Sequence, residues 1–245
     1  MKTTRLPLLL ALASLALPSP AADSAKPAGP TASVSALLEA AAGLQDVPFG
    51  EVLFAATGKR VLPFGPTNAV DHELLVKISG ALDRTLAALN LPDHAAQKVG
   101  RINEVSAHFE DSLRAELNRV LGFTCEVPKT AVGKHQRAGY PDLRLADRTS
   151  GRALYLDVKL LERKSRQSTL RTFYFEPKQD TNKVLEDAHH LLIGFEHAGR
   201  VDGHWKFLGW DLVDLSRFNV RLKAEFQASN RDLYRPEAII GSSRK

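Results

Sequence analysis

The chain has 245 residues, 44% of them hydrophobic and 25% charged, which is enough apolar material for one globular domain with accessory segments. A formal net charge of +5 permits a polyanionic partner without requiring one. The single cysteine, Cys125, excludes an intrachain disulfide and argues against a cysteine-ligated metal site.

The N-terminus has the layout of a secretory signal peptide. Lys2 and Arg5 precede an apolar run at 6–17, and small residues follow at 19–22. The apolar run is short for a membrane span. We therefore predict a signal peptide over 1–22 and a secreted or periplasmic protein. A buried N-terminal helix and an uncleaved anchor are the alternatives.

A flexible linker is predicted at 23–33, where Pro, Ala and Ser dominate. An N-terminal, mainly helical extension follows at 34–95, and it carries no readable chemical signature. Within it we predict a short helix at 33–44 and a longer one at 71–90, where leucine and isoleucine recur every three or four residues. Short strands interrupted by Gly and Pro are predicted at 48–68.

The strongest helix is predicted at 98–123. One apolar stripe runs along it, made of Ile102, Val105, Phe109, Leu113, Leu117 and Val120. A strand leading into a loop is predicted at 123–133. Two alternating segments at 140–147 and 152–162 are separated by the turn residues Arg-Thr-Ser-Gly, a pattern typical of a β-hairpin.

The C-terminal part is predicted to contain three more strands and two helical stretches. The strands are placed at 168–177, 189–197 and 204–215, with a short helix at 180–188 and a partly helical tail at 217–234. Helices and hairpins alternate without a strict βαβ order. The fold class is therefore α/β, with a mixed central sheet flanked by helices.

The hairpin carries the residues that point to chemistry. Asp157 and Lys159 are two apart and share one face of their strand, while Val158 faces the core. Asp142 comes close to Asp157 if the two strands pair. Two carboxylates and the backbone carbonyl of Val158 are oxygen ligands of the kind that Mg²⁺ accepts.

Pro141-Asp142, a spacer of fourteen residues and Asp157-Val158-Lys159 resemble the signature of the PD-(D/E)XK, or restriction-endonuclease-like, nuclease superfamily. The resemblance covers roughly 99–212, less than half of the chain. It implies a restriction-endonuclease-like nuclease domain, which we place at 96–245. It also implies that the two aspartates bind Mg²⁺, with Mn²⁺ as the alternative ion, and that the lysine assists the attacking water.

In that superfamily a glutamate on the preceding helix often completes the metal site. The segment HFEDSLRAELNRVLGF is similar to the glutamate-bearing helix of archaeal Holliday-junction resolvases, where the glutamate lies about three turns before a Gly-Phe pair. This similarity favours Glu110 as a metal-binding and catalytic residue. Glu104 is the alternative, because GRINE also resembles that region.

Four basic residues are weaker candidates for contacts with nucleic acid: Arg144, Lys164, Arg166 and Arg171. Three of them lie in or near an aromatic-rich segment at 168–177, where cations could neutralise phosphates and an aromatic ring could stack on a base. A solvated edge strand with its aromatic rings in the core is an equally good interpretation.

These observations lead to one main hypothesis, an exported Mg²⁺-dependent nuclease with DNA as the expected substrate. A catalytically inactive module on the same fold, binding nucleic acid or the cell envelope, is the alternative. A third interpretation is an exported structural protein in which Asp157 and Lys159 form an ordinary surface ion pair, an interaction of roughly 0–1 kcal/mol.

Overall fold

The computed structural model describes residues 29–65 and 67–243. The predicted signal peptide at 1–22 and most of the predicted linker at 23–33 lie outside the described residues. Contacts divide the chain into a larger unit of residues 42–227 and a smaller one built from the residues that flank it in sequence. Among the described residues, no helix is both long and apolar enough to cross a membrane.

Five helices and eight strands make up the regular structure of the described residues. The helices are α1 (Pro30–Gly43), α2 (Phe49–Thr57), α3 (Ala69–Leu89), α4 (Ile102–Asn118) and α5 (Asn230–Leu233). The strands are β1 (Val47–Pro48), β2 (Val61–Leu62), β3 (Phe123–Glu126), β4 (Leu143–Asp147), β5 (Arg152–Glu162), β6 (Ala188–Val201), β7 (His204–Asp214) and β8 (Asn219–Val220).

The central sheet of the larger unit has six strands and is mixed. Its order is β2-β6-β5-β4-β3, and β7 also pairs with β6. β5 and β6 run parallel, as do β2 and β6, whereas the β3–β4, β4–β5 and β6–β7 pairs are antiparallel. The predicted fold class, a mixed sheet flanked by helices, is confirmed. β1 and β8 form a separate two-stranded ladder.

Helices α3 and α4 cover one face of the sheet. The predicted apolar stripe of α4 is buried there, and Phe109 lies with its ring centroid 4.3 Å from that of Phe195 and 4.8 Å from that of Phe207. The opposite face is covered by α2, whose Phe49 packs in a cluster with Tyr155 and Leu215. The central strands β5 and β6 therefore have packed side chains on both faces of the sheet, which fixes their register.

The predicted strands at 48–68 are wrong for most of that range. Residues 49–57 form α2 instead, because Phe49 and Leu53, one helical turn apart, are both buried against the sheet. The helix ends at Gly58, whose φ of 67° is left-handed, a conformation that glycine adopts without steric cost. Of the residues in this range that the structure describes, only the two of β2 join the central sheet.

The predicted strand at 168–177 and the predicted helix at 180–188 are also absent from the structure. The alternation of Phe173 and Phe175 reflects their edge-to-face packing on Phe49 and not pairing in a sheet. In the second segment the backbone carbonyl of Asn182 accepts a hydrogen bond from the N–H of Ala131, a partner far away in sequence, instead of an intrahelical one.

The remaining elements agree with the sequence, including the long β6–β7 hairpin and a partly helical tail that contains α5. Helix α5 begins with a capping box between Ser229 and Asp232. The boundary predicted between 34–95 and 96–245 stays a prediction, and the larger compact unit contains residues from both ranges.

Candidate active site

The hairpin of β4 and β5 places Asp142 opposite Asp157. Leu143 pairs with Leu156 in the antiparallel ladder, and the N–H of Asp142 donates to the carbonyl of Leu156 at 3.1 Å. A carboxylate oxygen of Asp142 accepts a hydrogen bond of 2.8 Å from the backbone N–H of Val158. The two aspartates therefore lie on the same side of the sheet, as the sequence predicts.

Lys159 completes this group. Its Nζ lies 2.6 Å from Oδ2 of Asp157 and 3.4 Å from the backbone carbonyl oxygen of Val158. Asp157 is only 3% exposed, and apart from this ion pair its Oδ2 makes no hydrogen bond to the described residues. Asp157 and Lys159 are thus a partly buried pair rather than a solvated surface ion pair.

The two carboxylates are held where ionisation is costly. Burial raises the pKa of Asp142 to about 6, and repulsion from Asp157 adds to the rise, while Lys159 and the Val158 N–H oppose it. Burial likewise raises the pKa of Asp157 against the lowering effect of Lys159. Positive charge placed beside crowded carboxylates of this kind favours their ionised forms.

Lys159 keeps its proton in this environment. Burial lowers the pKa of Lys159, but the carboxylates of Asp157 and Asp142 outweigh that effect and leave the pKa above its ordinary value. The side chain is therefore an ammonium group at neutral pH. It can donate hydrogen bonds and stabilise negative charge, whereas acting as a proton acceptor would require it first to lose a proton that its neighbours retain.

Glu110 extends from α4 toward the same edge of the sheet. Its Oε2 accepts a hydrogen bond of 2.8 Å from the guanidinium of Arg137, which also binds the carboxylate of Asp111. Burial raises the pKa of Glu110, Arg137 lowers it, and repulsion from Asp142 raises it further. Glu104, in the first turn of α4, is exposed.

The structure adds a second lysine that the sequence analysis missed. Lys183 is 1% exposed, and its Nζ donates to the carbonyl oxygens of Arg137 at 3.2 Å and Gln136 at 3.4 Å. Burial lowers the pKa of Lys183, whereas Asp142 and Asp157 raise it. No local motif marks this residue, because it lies in an irregular segment far from the hairpin in sequence.

Asp142 and Asp157 fit a divalent cation in their chemistry. Both offer carboxylate oxygens, the ligands that Mg²⁺ prefers, and their raised pKa values mark a place where positive charge is stabilising. Across 29–65 and 67–243, no group of three or more His, Cys, Asp or Glu side chains is close enough to hold one ion. Further ligands would therefore be the Val158 carbonyl, water and phosphate.

The four weaker nucleic-acid candidates differ in their surroundings. Three have carboxylate partners at short distance: Arg144 with Glu186 at 2.5 Å, Lys164 with Glu162 at 2.9 Å, and Arg166 with Asp211 at 2.5 Å. Arg171 has a looser contact, 3.9 Å from Glu225, and its guanidinium lies 5.3 Å from the centroid of the Tyr174 ring. Of the four, Arg171 is the one whose charge is least neutralised.

Two similarities to known proteins cover most of the chain. The model of the type II restriction enzyme MjaV family matches residues 43–237. The chain is also 30% identical over 209 residues to the type II restriction enzyme MjaV of Methanocaldococcus jannaschii, an alignment that covers 80% of this chain and 89% of that protein. The span matched by the family model includes Asp142, Asp157 and Lys159 and excludes the predicted signal peptide.

Proposed function

The chain belongs to the type II restriction enzyme MjaV family, within the PD-(D/E)XK superfamily, and from this premise we propose that it is a metal-dependent endonuclease that hydrolyses phosphodiester bonds in DNA. One observation carries the proposal: Asp142 and Asp157 lie side by side, with the ammonium of Lys159 at 2.6 Å from Asp157. A hairpin ion pair without a function would not need a second buried carboxylate beside it.

The metal dependence rests on the electrostatics of the two aspartates. Asp142, Asp157 and the carbonyl of Val158 would hold Mg²⁺, with Mn²⁺ as a substitute. When bound, the ion supplies Lewis-acid stabilisation of the charge that develops on the phosphate. Glu110 would join it, directly or through water, only after exchanging its hydrogen bond with Arg137.

Hydrolysis requires a water oxygen to bond to phosphorus while the bond to the leaving deoxyribose oxygen breaks, and the water supplies the proton that the leaving oxygen takes up. Lys159 contributes a fixed ammonium group beside the carboxylates, where it can donate to a phosphate oxygen and orient the attacking water. The raised pKa of Lys159 favours this donor role over that of a general base. A single preorganised donor of this kind is worth roughly 100-fold or more in rate.

The test is cleavage of a supercoiled plasmid by purified protein with Mg²⁺ and with EDTA. Asp157→Asn and Lys159→Ala should each lower the rate about 100-fold or more, with the circular dichroism spectrum of the folded protein retained at the assay temperature. Lys98→Ala, which removes an exposed charge outside this group, is the matched control and should cleave like the wild type.

The outcomes separate catalysis from simple binding. Cleavage that EDTA does not stop, or that both variants retain, contradicts the mechanism. Salt-sensitive DNA binding without any cleavage would instead favour the inactive module on the same fold.

We also propose that the protein is exported. The support is the residue pattern of a signal peptide at 1–22, which precedes the span matched by the family model. Expression with a C-terminal tag, followed by fractionation and mass spectrometry, should find a mature chain that begins at Ala22 or Asp23. A full-length chain that stays in the cytoplasm would contradict this part of the proposal.

A further inference from the structure

A groove crosses the sheet next to Lys159, within the larger unit. Its volume is about 780 Å³. Lys159, Gly194 and Asp211 are aligned across its floor, because Lys159 pairs with Gly194 in the β5–β6 ladder and Gly194 with Asp211 in the β6–β7 ladder. The groove therefore begins at the catalytic lysine and runs across the three strands.

Two segments outside the central sheet form the walls of the groove. One is the irregular segment 169–173 and the other is 218–223, which contains the short strand β8; Phe173 from the first meets Phe218 from the second with ring centroids 5.2 Å apart. Apolar side chains of the sheet, among them Leu161, Leu192 and Val213, also line the groove. The floor therefore combines apolar surface with the charged side chains of Lys159 and Asp211.

Exposed cations line both walls of the groove. Arg171 stands on the first wall, and Arg221 and Lys223 stand on the second. The acidic residue of the floor, Asp211, is already neutralised by Arg166 at 2.5 Å. A positively charged groove that also contains aromatic rings, here Phe173 and Phe218, is the arrangement by which proteins bind single-stranded nucleic acid, with phosphates on the cations and bases stacked on the rings.

The carboxylate of Glu225 is an anionic group that contacts the cations of the groove. It lies 2.5 Å from Nζ of Lys223 and 3.9 Å from the guanidinium of Arg171, so it connects the cations of the two walls. A carboxylate between an ammonium and a guanidinium occupies the position that a phosphate group would take. Glu225 is therefore an internal competitor for a phosphate in the groove.

We propose that this groove binds one strand of the DNA substrate beside the scissile phosphate, with its phosphates on Arg171, Arg221 and Lys223 in the place of Glu225. The volume is in the range of sites that enclose a ligand the size of one or two nucleotides, about 300–1,000 Å³, which is far less than a double helix needs. The inference rests on the proposed nuclease function and assigns the substrate contact on one side of its active site.

Gly194 offers a steric test that changes no charge. A Cβ added there would meet only Leu192 Cδ2, at 4.0 Å, so a larger side chain can project into the groove without disturbing the sheet. Gly209, on β7 and outside the groove lining, has nothing within 4 Å of such a Cβ and is the matched control. Valine suits both strand positions.

The experiment measures fluorescence anisotropy of a labelled single-stranded octathymidylate in EDTA. Gly194→Val should weaken binding about 10-fold and Gly209→Val should not. The Arg171→Ala/Lys223→Ala double variant should weaken binding about 10-fold and lower the slope of log K against log salt by about 1.4, which corresponds to two phosphate contacts. Glu225→Gln should tighten binding about threefold, whereas Glu73→Gln, which alters an exposed Glu–Lys pair elsewhere, should not.

A charge-matched control, Lys98→Ala/Arg101→Ala, must leave binding unchanged. The proposal is overturned if the two double variants lose affinity for the single strand equally. It is also overturned if Arg171→Ala/Lys223→Ala loses affinity for duplex DNA but binds the single strand like the wild type. Plasmid cleavage distinguishes failure of the groove proposal from failure of the proposed nuclease function. Metal-dependent cleavage with unaltered binding in the groove variants rejects the groove alone, whereas groove effects without any cleavage by the wild type reject the nuclease function alone.

Discussion

The backbone N–H of Val158 donates a hydrogen bond of 2.8 Å to the carboxylate of Asp142. This bond links the side chain of Asp142 to the backbone of β5 at the residue that lies between Asp157 and Lys159. It orients the Asp142 carboxylate and leaves its second oxygen available for a ligand. An asparagine could accept the same bond through its amide oxygen, so the charge at this position can be removed without removing the bond.

Asp142→Asn should stabilise the metal-free protein at neutral pH. The pKa of Asp142 is about 6 in the folded chain against an ordinary value of 3.8, so the folded state binds the proton more tightly and loses stability as pH rises from about 4 to about 6. The variant avoids this loss. In EDTA, urea unfolding at pH 7 should give a free energy higher by on the order of 2–3 kcal/mol.

The same comparison at pH 4 is the internal control. At pH 4 the wild-type carboxyl is almost fully protonated in the folded state and about half protonated in the unfolded state, so most of the stability difference between the two proteins should disappear. A variant that is less stable than the wild type at pH 7 would show that Asp142 is not in a costly environment. Cleavage should be lost in the stabilised variant, since a neutral amide is a poor ligand for a hard divalent cation.

Glu110→Gln should reduce cleavage at least about 10-fold, and Glu104→Gln should leave it within about twofold. The charge of Asp142 raises the pKa of Glu110, and Glu110 in turn raises the pKa of Asp157, whereas Glu104 is exposed at the beginning of α4. The readout is initial cleavage rate over a range of Mg²⁺ concentrations. The reverse result would assign the role to Glu104.

Arg137→Ala should affect metal binding by Glu110 in the opposite direction to Glu110→Gln. It frees the carboxylate of Glu110 from its 2.8 Å hydrogen bond, and the concentration of Mg²⁺ at half-maximal rate should fall. If that concentration is unchanged in Arg137→Ala and in Glu110→Gln alike, Glu110 takes no part in binding the ion.

The centre of the site could be predicted from the sequence because its signals are local. Alternation over 152–162 puts Asp157 and Lys159 on one face, and the short turn before it fixes the antiparallel register that brings Asp142 opposite. The stripe of α4 likewise follows from the helical period alone. In each case the residues that interact are close in sequence or belong to one regular element.

The features that were missed depend on contacts between distant segments. Phe173 and Phe175 alternate like strand residues, but their pattern is set by Phe49, more than a hundred residues earlier in the chain. Lys183 reaches the site because its ammonium finds the carbonyls of 136–137, which no sequence window contains. The conformation of these segments is determined by tertiary packing, so it could not be predicted from local propensity.

Lys183→Met should raise the pKa of Asp142 further above about 6. The ammonium of Lys183 is one of the groups that lower this pKa, after Lys159 and the Val158 N–H, so its removal should have a smaller effect than Lys159→Met. The titration can be followed in EDTA by the carboxyl ¹³C shift of Asp142, assigned with Asp142→Asn. Lys164→Met removes an exposed charge and serves as the control. An unchanged titration in Lys183→Met would show that this lysine only anchors the 136–137 backbone.

His190→Asn should make the protein less sensitive to acid. His190 is fully buried, its Nδ1 lies 2.6 Å from the hydroxyl of Tyr140, and its Nε2 makes no hydrogen bond to the described residues. Burial lowers its pKa from 6.5 to about 3. As the pH drops below 6.5, the unfolded chain therefore binds a proton at His190 that the folded chain does not. The free energy of unfolding falls by up to about 1.4 kcal/mol per pH unit.

The measurement is the difference in unfolding free energy between His190→Asn and the wild type from pH 7 to pH 4.5. Asparagine can still bond to Tyr140 but leaves unfilled volume, which lowers stability by a constant amount at every pH. Asp142 changes stability in the opposite direction over this range, and it cancels in the difference. The difference should therefore shift in favour of the variant by about 2–3 kcal/mol between the two pH values. A constant difference, like that expected for the exposed His204→Asn, would show that His190 takes up its proton in the folded chain.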